Sequence, residues 1–111
     1  MFTLQKQGAV KVVTGQQVLN RETVAAAARV CDEALAQGQP RLVFDLQGVP
    51  LIDSAGLELL LDVRDRCAKR GGALHLAAPS VLCTDILKAT QVASKFAIFD
   101  DALAAVGSFA Q

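Results

Sequence analysis

The run Leu42-Val43-Phe44-Asp45-Leu46 constrains this chain more than any other stretch. It is short, apolar and bounded by the turn signal Gln47-Gly48, so it reads as a strand, Arg41 to Leu46. A helical pattern lies on each side of it. A strand between two helices cannot pair with a sequence neighbour through a tight hairpin, so it belongs in the middle of a sheet with parallel neighbours. In the preceding helix Val24, Ala28, Cys31 and Leu35 share a face, Asn20 is the N-cap with Glu22 in the first turn, and Gly38 and Pro40 end it. Cys31 on this stripe reads as a small core residue. The following helix opens at Asp53-Ser54, either of which suits the cap. Gly56, Leu60, Val63 and Cys67 form its face, widened by Leu57 and Leu61, and Gly71-Gly72 close it. Asp62–Arg66 and Asp65–Lys69 are spaced as i,i+4 ion pairs, and Arg66, Lys69 and Arg70 suit the negative end of the helix.

The remaining chain completes the pattern. Phe2 to Leu19 reads as two strands joined near Gln7-Gly8, with Val18 and Leu19 extending a strand or packing a loop. Ala73 to Ala77 is a strand, Ser80 caps a helix with Leu82, Ile86 and Ala89 inward, and Phe96 to Phe99 is a last strand. Asp100 or Asp101 caps a final helix with Leu103, Val106 and Ala110 inward. The order β-β-α-β-α-β-α-β-α predicts one α/β domain over residues 1–111, with a mixed four- to five-stranded sheet and about four helices mainly on one side. In such sheets sites gather beyond the carboxyl ends of parallel strands, where Ser54 stands. An exposed sheet edge makes a weak homodimer an expectation.

With 111 residues and 52% hydrophobic content, a single domain can bury a core. Eleven cations balance eleven anions, so no basic excess points to nucleic acid and no polybasic run to a membrane surface. The start lacks a signal-peptide apolar region and no run suits a membrane span, which predicts a cytoplasmic address. Cys31, Cys67 and Cys83 are widely spaced, and His75 is the sole histidine; neither a disulfide framework, a metal site nor a cofactor is expected.

No phosphate-cradling P-loop or dinucleotide fingerprint occurs. Ile52 stands where a nucleophile elbow needs glycine, and no spacing ties Ser54 to His75, which reads as a surface or edge residue; no catalytic residue and no enzyme activity are expected. Ser54 has a simpler use. Its small neighbours Ala55 and Gly56 leave the hydroxyl open, and a helix start accepts an added anion. A phosphate there brings about −1.5 to −2 charges, which the fold tolerates but a docked acidic or apolar partner does not.

The residues Val43-Phe44-Asp45-Leu46, Val49, Ile52-Asp53-Ser54-Ala55-Gly56-Leu57, Leu60-Leu61, Arg64 and Gly71-Gly72 together resemble the STAS domain, over nearly the whole chain. That family includes bacterial anti-sigma factor antagonists and the cytoplasmic tails of sulfate transporters. The resemblance implies partner switching: the antagonist binds an anti-sigma factor that is also a serine kinase, is released when that kinase phosphorylates the motif serine, and is reset by a phosphatase. It implies Ser54 as the acceptor and Asp53, Ser54, Ala55, Gly56 and Leu57 as the docking motif. Three departures stand out: Val18 where an acidic residue is frequent, Ala55 where Ser is common, and Thr90-Gln91-Val92 in place of Thr-Gly-Leu. The first favours an alternative, an unphosphorylated STAS subunit of a lipid- or anion-transport complex.

Overall fold

Right-handed crossovers that advance in one direction across a sheet place every connecting helix on the same face. The computed structural model, which describes residues 1–110, follows this rule. Strands β1 (Phe2–Gln7) and β2 (Val10–Gly15) form an antiparallel hairpin whose turn holds Gly8 at φ +62°. Helix α1 (Val24–Ala34) leads to β3 (Arg41–Asp45), α2 (Ser54–Lys69) to β4 (Ala73–Ala77), and α3 (Val81–Ala89) to β5 (Ile98–Phe99). The sheet order is β1-β2-β3-β4-β5, and every pairing after the hairpin is parallel. Helix α4 (Ala102–Gly107) ends the fold.

The two faces of the sheet carry separate cores. Leu42, Phe44, Leu74 and Leu76 point to one face and pack with Ala27, Cys31, Leu60, Val63, Cys67, Cys83 and Leu87 of the first three helices. Phe2 meets Phe44 edge to face at 6.2 Å. On the other face Val10, Val12, Val43 and Ala77 are small enough for α4 to lie close, through Ala105. Burial therefore follows the strand alternation expected of a sheet covered on both sides.

Several local expectations shift. Helix α1 starts at Val24 with Thr23 at its cap position, and its buried face is Ala27, Cys31 and Ala34 rather than the stripe from Val24. Asn20 instead closes the preceding turn, its Oδ1 accepting from the Glu22 and Thr23 N–H groups. Leu59 joins the buried face of α2, while Leu61 is half-buried. In α3 the buried side chains are Cys83 and Leu87, one position on from the predicted stripe; Leu82 is 51% exposed. In α4 Ala105 is buried while Leu103 is 80% exposed. Strand β5 has only two residues, Ile98–Phe99; a 3-10 turn at Ala93–Lys95 precedes it, and Phe96 and Ala97 lie outside the strand.

Of the two expected ion pairs, Asp62–Arg66 forms and Asp65–Lys69 does not. Arg66 bridges to Asp32 of α1 at 2.9 Å as well as to Asp62 at 3.6 Å, and Asp65 pairs with Arg64 rather than Lys69. The hydrogen bond that the Arg66 guanidinium donates to the Asp32 carboxylate holds its pKa above the ordinary value. These exposed pairs contribute little to stability. The three cysteines are free and buried; burial raises the Cys31 thiol to about 12 and the Cys67 thiol to about 11, which keeps both protonated and inert.

Candidate functional site

Beyond the carboxyl end of β3 the chain makes a platform before α2 begins. Leu46, Val49 and Ile52 are fully buried, while Gln47, Pro50 and Leu51 between them are exposed. Backbone bonds pin the segment on both sides: Leu46 N–H donates to Ala77 at 2.8 Å, and Leu19 N–H donates to Leu51 at 2.9 Å. Leu19 and Ile52 form a parallel bridge, so the loop after β2 runs beside the motif. The Cys83 thiol donates to the Val49 carbonyl at 3.3 Å and seats the start of α3 against the same platform.

Asp53 is the N-cap of α2. Its backbone is extended, at φ −98° and ψ −172°, and its Oδ1 accepts from the Gly56 N–H at 3.0 Å. Its Oδ2 accepts from the Arg21 N–H at 3.1 Å, and its own N–H donates to Leu19 at 3.1 Å. One carboxylate thus caps the helix and fastens the β2–α1 loop to it.

Ser54 is left as the first helical residue. It is exposed, and its Oγ makes no hydrogen bond among the described residues. Ala55 is half-exposed beside it. The N–H groups of Ser54 and Ala55 stand at the helix mouth, where no intrahelical acceptor exists. Gly56 and Leu57 are buried. A Cβ at Gly56 would sit 2.6 Å from the Leu19 carbonyl oxygen and 2.8 Å from Ile52 Cγ2, so glycine lets α2 approach the Leu19 segment. Of the five motif residues, only Asp53, Ser54 and Ala55 offer surface to a partner.

The sequence reading missed two parts of this site. One is the Arg21–Asp53 bond, which spans 32 residues and has no local signature. The other is exposed apolar surface at the same end of the sheet: Leu51 is 40% exposed, Val81 80% and Leu82 51%. Leu82 was expected in the core; it is exposed, and its neighbour Cys83 makes the contact with Val49.

His75 is elsewhere. Its ring stacks on Phe109 at 4.2 Å on the α4 face, and its Nδ1 lies 2.8 Å from Ser108 Oγ. Burial lowers its pKa below the ordinary value. The structure does not bring it to Ser54. Among the described residues no cluster of His, Cys, Asp or Glu could hold a metal ion, and no helix is long and apolar enough to cross a membrane.

The comparisons with known proteins agree with this architecture. A STAS domain protein from Planctomyces limnophilus, described as an anti-sigma factor antagonist, superposes with a TM-score of 0.91 at 23% identity, covering 99% of this chain and 98% of that one. SpoIIAA, an anti-sigma factor antagonist, matches in its unphosphorylated form at 0.83, with 16% identity and 98% and 96% coverage. Its phosphorylated form, from Bacillus, matches at 0.76, again at 16% identity, with 98% and 99% coverage. The murine anion transporter Slc26a9 matches at 0.79 and 19% identity over 92% of this chain, which corresponds to 18% of the transporter. No curated protein matches the sequence significantly. The STAS domain family model covers residues 1–105, and the chain belongs to that family.

Proposed function

We propose that this protein is an anti-sigma factor antagonist of the bacterial cytoplasm, a binding module rather than an enzyme. It docks an anti-sigma factor with serine-kinase activity through the surface around Ser54, and phosphorylation of Ser54 releases it. One observation carries the reading: an exposed serine hydroxyl begins a 16-residue helix whose cap is already supplied by Asp53. Ser54 is not needed to hold the helix, so it is available for chemistry.

The switch follows from local charge. The kinase transfers the terminal phosphoryl group of ATP to Ser54 Oγ; the hydroxyl proton is lost and ADP leaves. The new group carries about −1.5 to −2 charges at neutral pH. The free N–H groups of Ser54 and Ala55 stabilise it by roughly 0.3–1 kcal/mol, so the domain stays folded. Outward, the phosphate stands beside Asp53 and near Leu51, on a face where a partner has to shed water. Burying it there without a cation is costly, and the partner leaves. A phosphatase restores the hydroxyl by hydrolysis.

The test is a pull-down with wild type, Ser54→Ala and Ser54→Asp. Wild type and Ser54→Ala are expected to retain one kinase-bearing partner, Ser54→Asp to lose it, and only wild type to take up phosphate from ATP. Phosphorylation and regulation that persist in Ser54→Ala refute the assignment. A second reading, a STAS subunit of a lipid- or anion-transport complex, is favoured by Val18, which puts a half-buried apolar side chain where antagonists often carry an acid. Co-purification with an ATPase or permease component, indifferent to the state of Ser54, decides for it.

A further inference from the structure

The carboxyl pole of the sheet, where Ser54 stands, is crowded with acids. Asp45 ends β3, Asp53 caps α2, and Asp100 and Asp101 follow β5. Glu22 lies in the loop after β2, and Glu58 and Asp85 lie in the first two turns of α2 and α3. Against these stands one basic side chain. Arg21 is the only Lys or Arg in the loops that leave β2, β3, β4 and β5, and in the first turn of each helix those loops enter.

The main chain fixes where Arg21 sits. Its N–H donates to Asp53 Oδ2 at 3.1 Å, and the other oxygen of that carboxylate accepts from the Gly56 N–H at 3.0 Å. One carboxylate therefore separates the Arg21 backbone from the first turn of α2, which Ser54 begins. Leu19 is bonded to both Leu51 and Asp53, so the two stretches are held together on either side of the motif. Arg21 is exposed, and no ion pair among the described residues occupies its guanidinium.

We propose that Arg21 is the built-in counter-ion of a phosphate on Ser54, an inference that rests on the reading of Ser54 as the phosphate acceptor. A guanidinium offers a phosphate two parallel N–H donors, and such charge-assisted bonds are stronger than neutral ones. Asp53, a single negative charge already shared between two N–H donors, competes weakly with a group of about −1.5 to −2 charges. The pairing acts on the switch in two ways. Arg21 joins the N–H groups of the helix mouth in holding the modified serine. It is also withdrawn from any docked partner, which loses the one basic side chain of this pole. The paired phosphate keeps a net charge of roughly −0.5 to −1, so the surface stays unfit for an acidic or apolar partner. The Arg21 backbone is in place before modification, and only its exposed side chain turns.

The experiment uses the full chain with phosphoserine installed at position 54 during translation, so it needs no kinase. Phosphorus NMR reads the second ionisation of the phosphate in wild type, Arg21→Gln, Arg21→Lys and Arg29→Gln. The acids of the pole raise that pKa in all four proteins alike, and the comparison isolates Arg21. Arg21→Gln is expected to raise it by about 0.5 unit or more, a roughly threefold gain in proton affinity. Arg21→Lys raises it less, because an ammonium keeps the charge but not the fork. Arg29→Gln removes the same charge from the exposed side of α1 and is expected to leave the value unmoved. Hydrogen exchange at Gly56 stays equal in all four, since the bond to Asp53 comes from the Arg21 main chain. A smaller rise in Arg21→Gln, an equal rise in Arg29→Gln, or a rise accompanied by faster Gly56 exchange overturns the proposal. These results concern Arg21 alone; the pull-down with the Ser54 variants fails separately if Ser54 is not the acceptor.

Discussion

Asp53→Ala tests how the Ser54 platform is held. The substitution removes two acceptors at once, the cap to the Gly56 N–H at 3.0 Å and the tie to the Arg21 N–H at 3.1 Å. Loss of an Asp cap costs about 1 kcal/mol, within a range of roughly 0.5–2. The second bond adds roughly 0.5–1.5 kcal/mol, and here the low end applies, because the Arg21 N–H is exposed and water replaces the carboxylate. The charge at the helix mouth, about 0.3–1 kcal/mol, overlaps with the cap and is not added in full. The expected cost is therefore about 1.5–2.5 kcal/mol. In Asp53→Ala the Ser54 hydroxyl can take over as cap one residue later, which pulls the cost toward the lower figure. Asp53→Asn keeps one acceptor oxygen, so it serves one donor and costs about half as much.

Urea denaturation at pH 7 measures the three proteins, and hydrogen exchange at Gly56 and Arg21 reports the two bonds separately. For a domain of this size each kcal/mol moves the melting temperature by roughly 4 °C. The expected order of stability is wild type, Asn, Ala. An alanine variant within about 0.3 kcal/mol of wild type refutes the double role of Asp53, since even the weakest cap is worth more.

Two further expectations come from other parts of the fold. Gly56→Ala places a methyl group 2.6 Å from the Leu19 carbonyl, an overpacking cost of about 1–3 kcal/mol against a propensity gain near 1 kcal/mol, so denaturation should show a net loss. Gly107→Ala meets nothing within 4 Å and should be neutral or slightly stabilising in the same assay. The lowered pKa of His75 makes the unfolded chain bind a proton more readily than the folded one. Its contribution is complete above the ordinary value of 6.5 and is lost as pH falls from there through the folded pKa. Melting temperatures of wild type should fall from pH 6.5 toward about 5, above most carboxylate titration, and His75→Gln should flatten that slope.

The central strand and the order of elements were legible because Leu42–Leu46 is an unambiguous apolar run between helical patterns. The faces of α3 and α4 were not. Each has few turns, nine residues and six, so a stripe of three apolar positions does not distinguish adjacent faces. Helix α4 lies over Val43 and Ala77, where an alanine fills the space and Leu103 has no room to be useful. At the site, Asp53 and Ser54 were found from cap chemistry, but their order was settled by geometry: the Asp53 carboxylate turns back to Gly56 and so leaves the serine free. The contact with Arg21 depends on the β2–α1 loop crossing the motif, a tertiary fact that no local pattern carries.

That crossing bears on how a phosphate could signal. The backbone on both sides of Ser54 is fixed by residues other than Ser54: Leu19 against Ile52, Leu19 with Leu51 and Asp53, and Cys83 beneath Val49. A group added to the hydroxyl finds no bond of that side chain to break among the described residues, and it finds two unpaired N–H groups ready to accept it. Modification should therefore change what the surface presents and not how the chain is folded. A device of the kind proposed needs no moving part in this protein. In the proposed function its selectivity would lie in the partner, which would have to cover Leu51 and the mouth of α2 closely enough that one phosphate is intolerable. The platform is rigid by these bonds, and Gly56, buried beneath it, lets the helix mouth sit where it does.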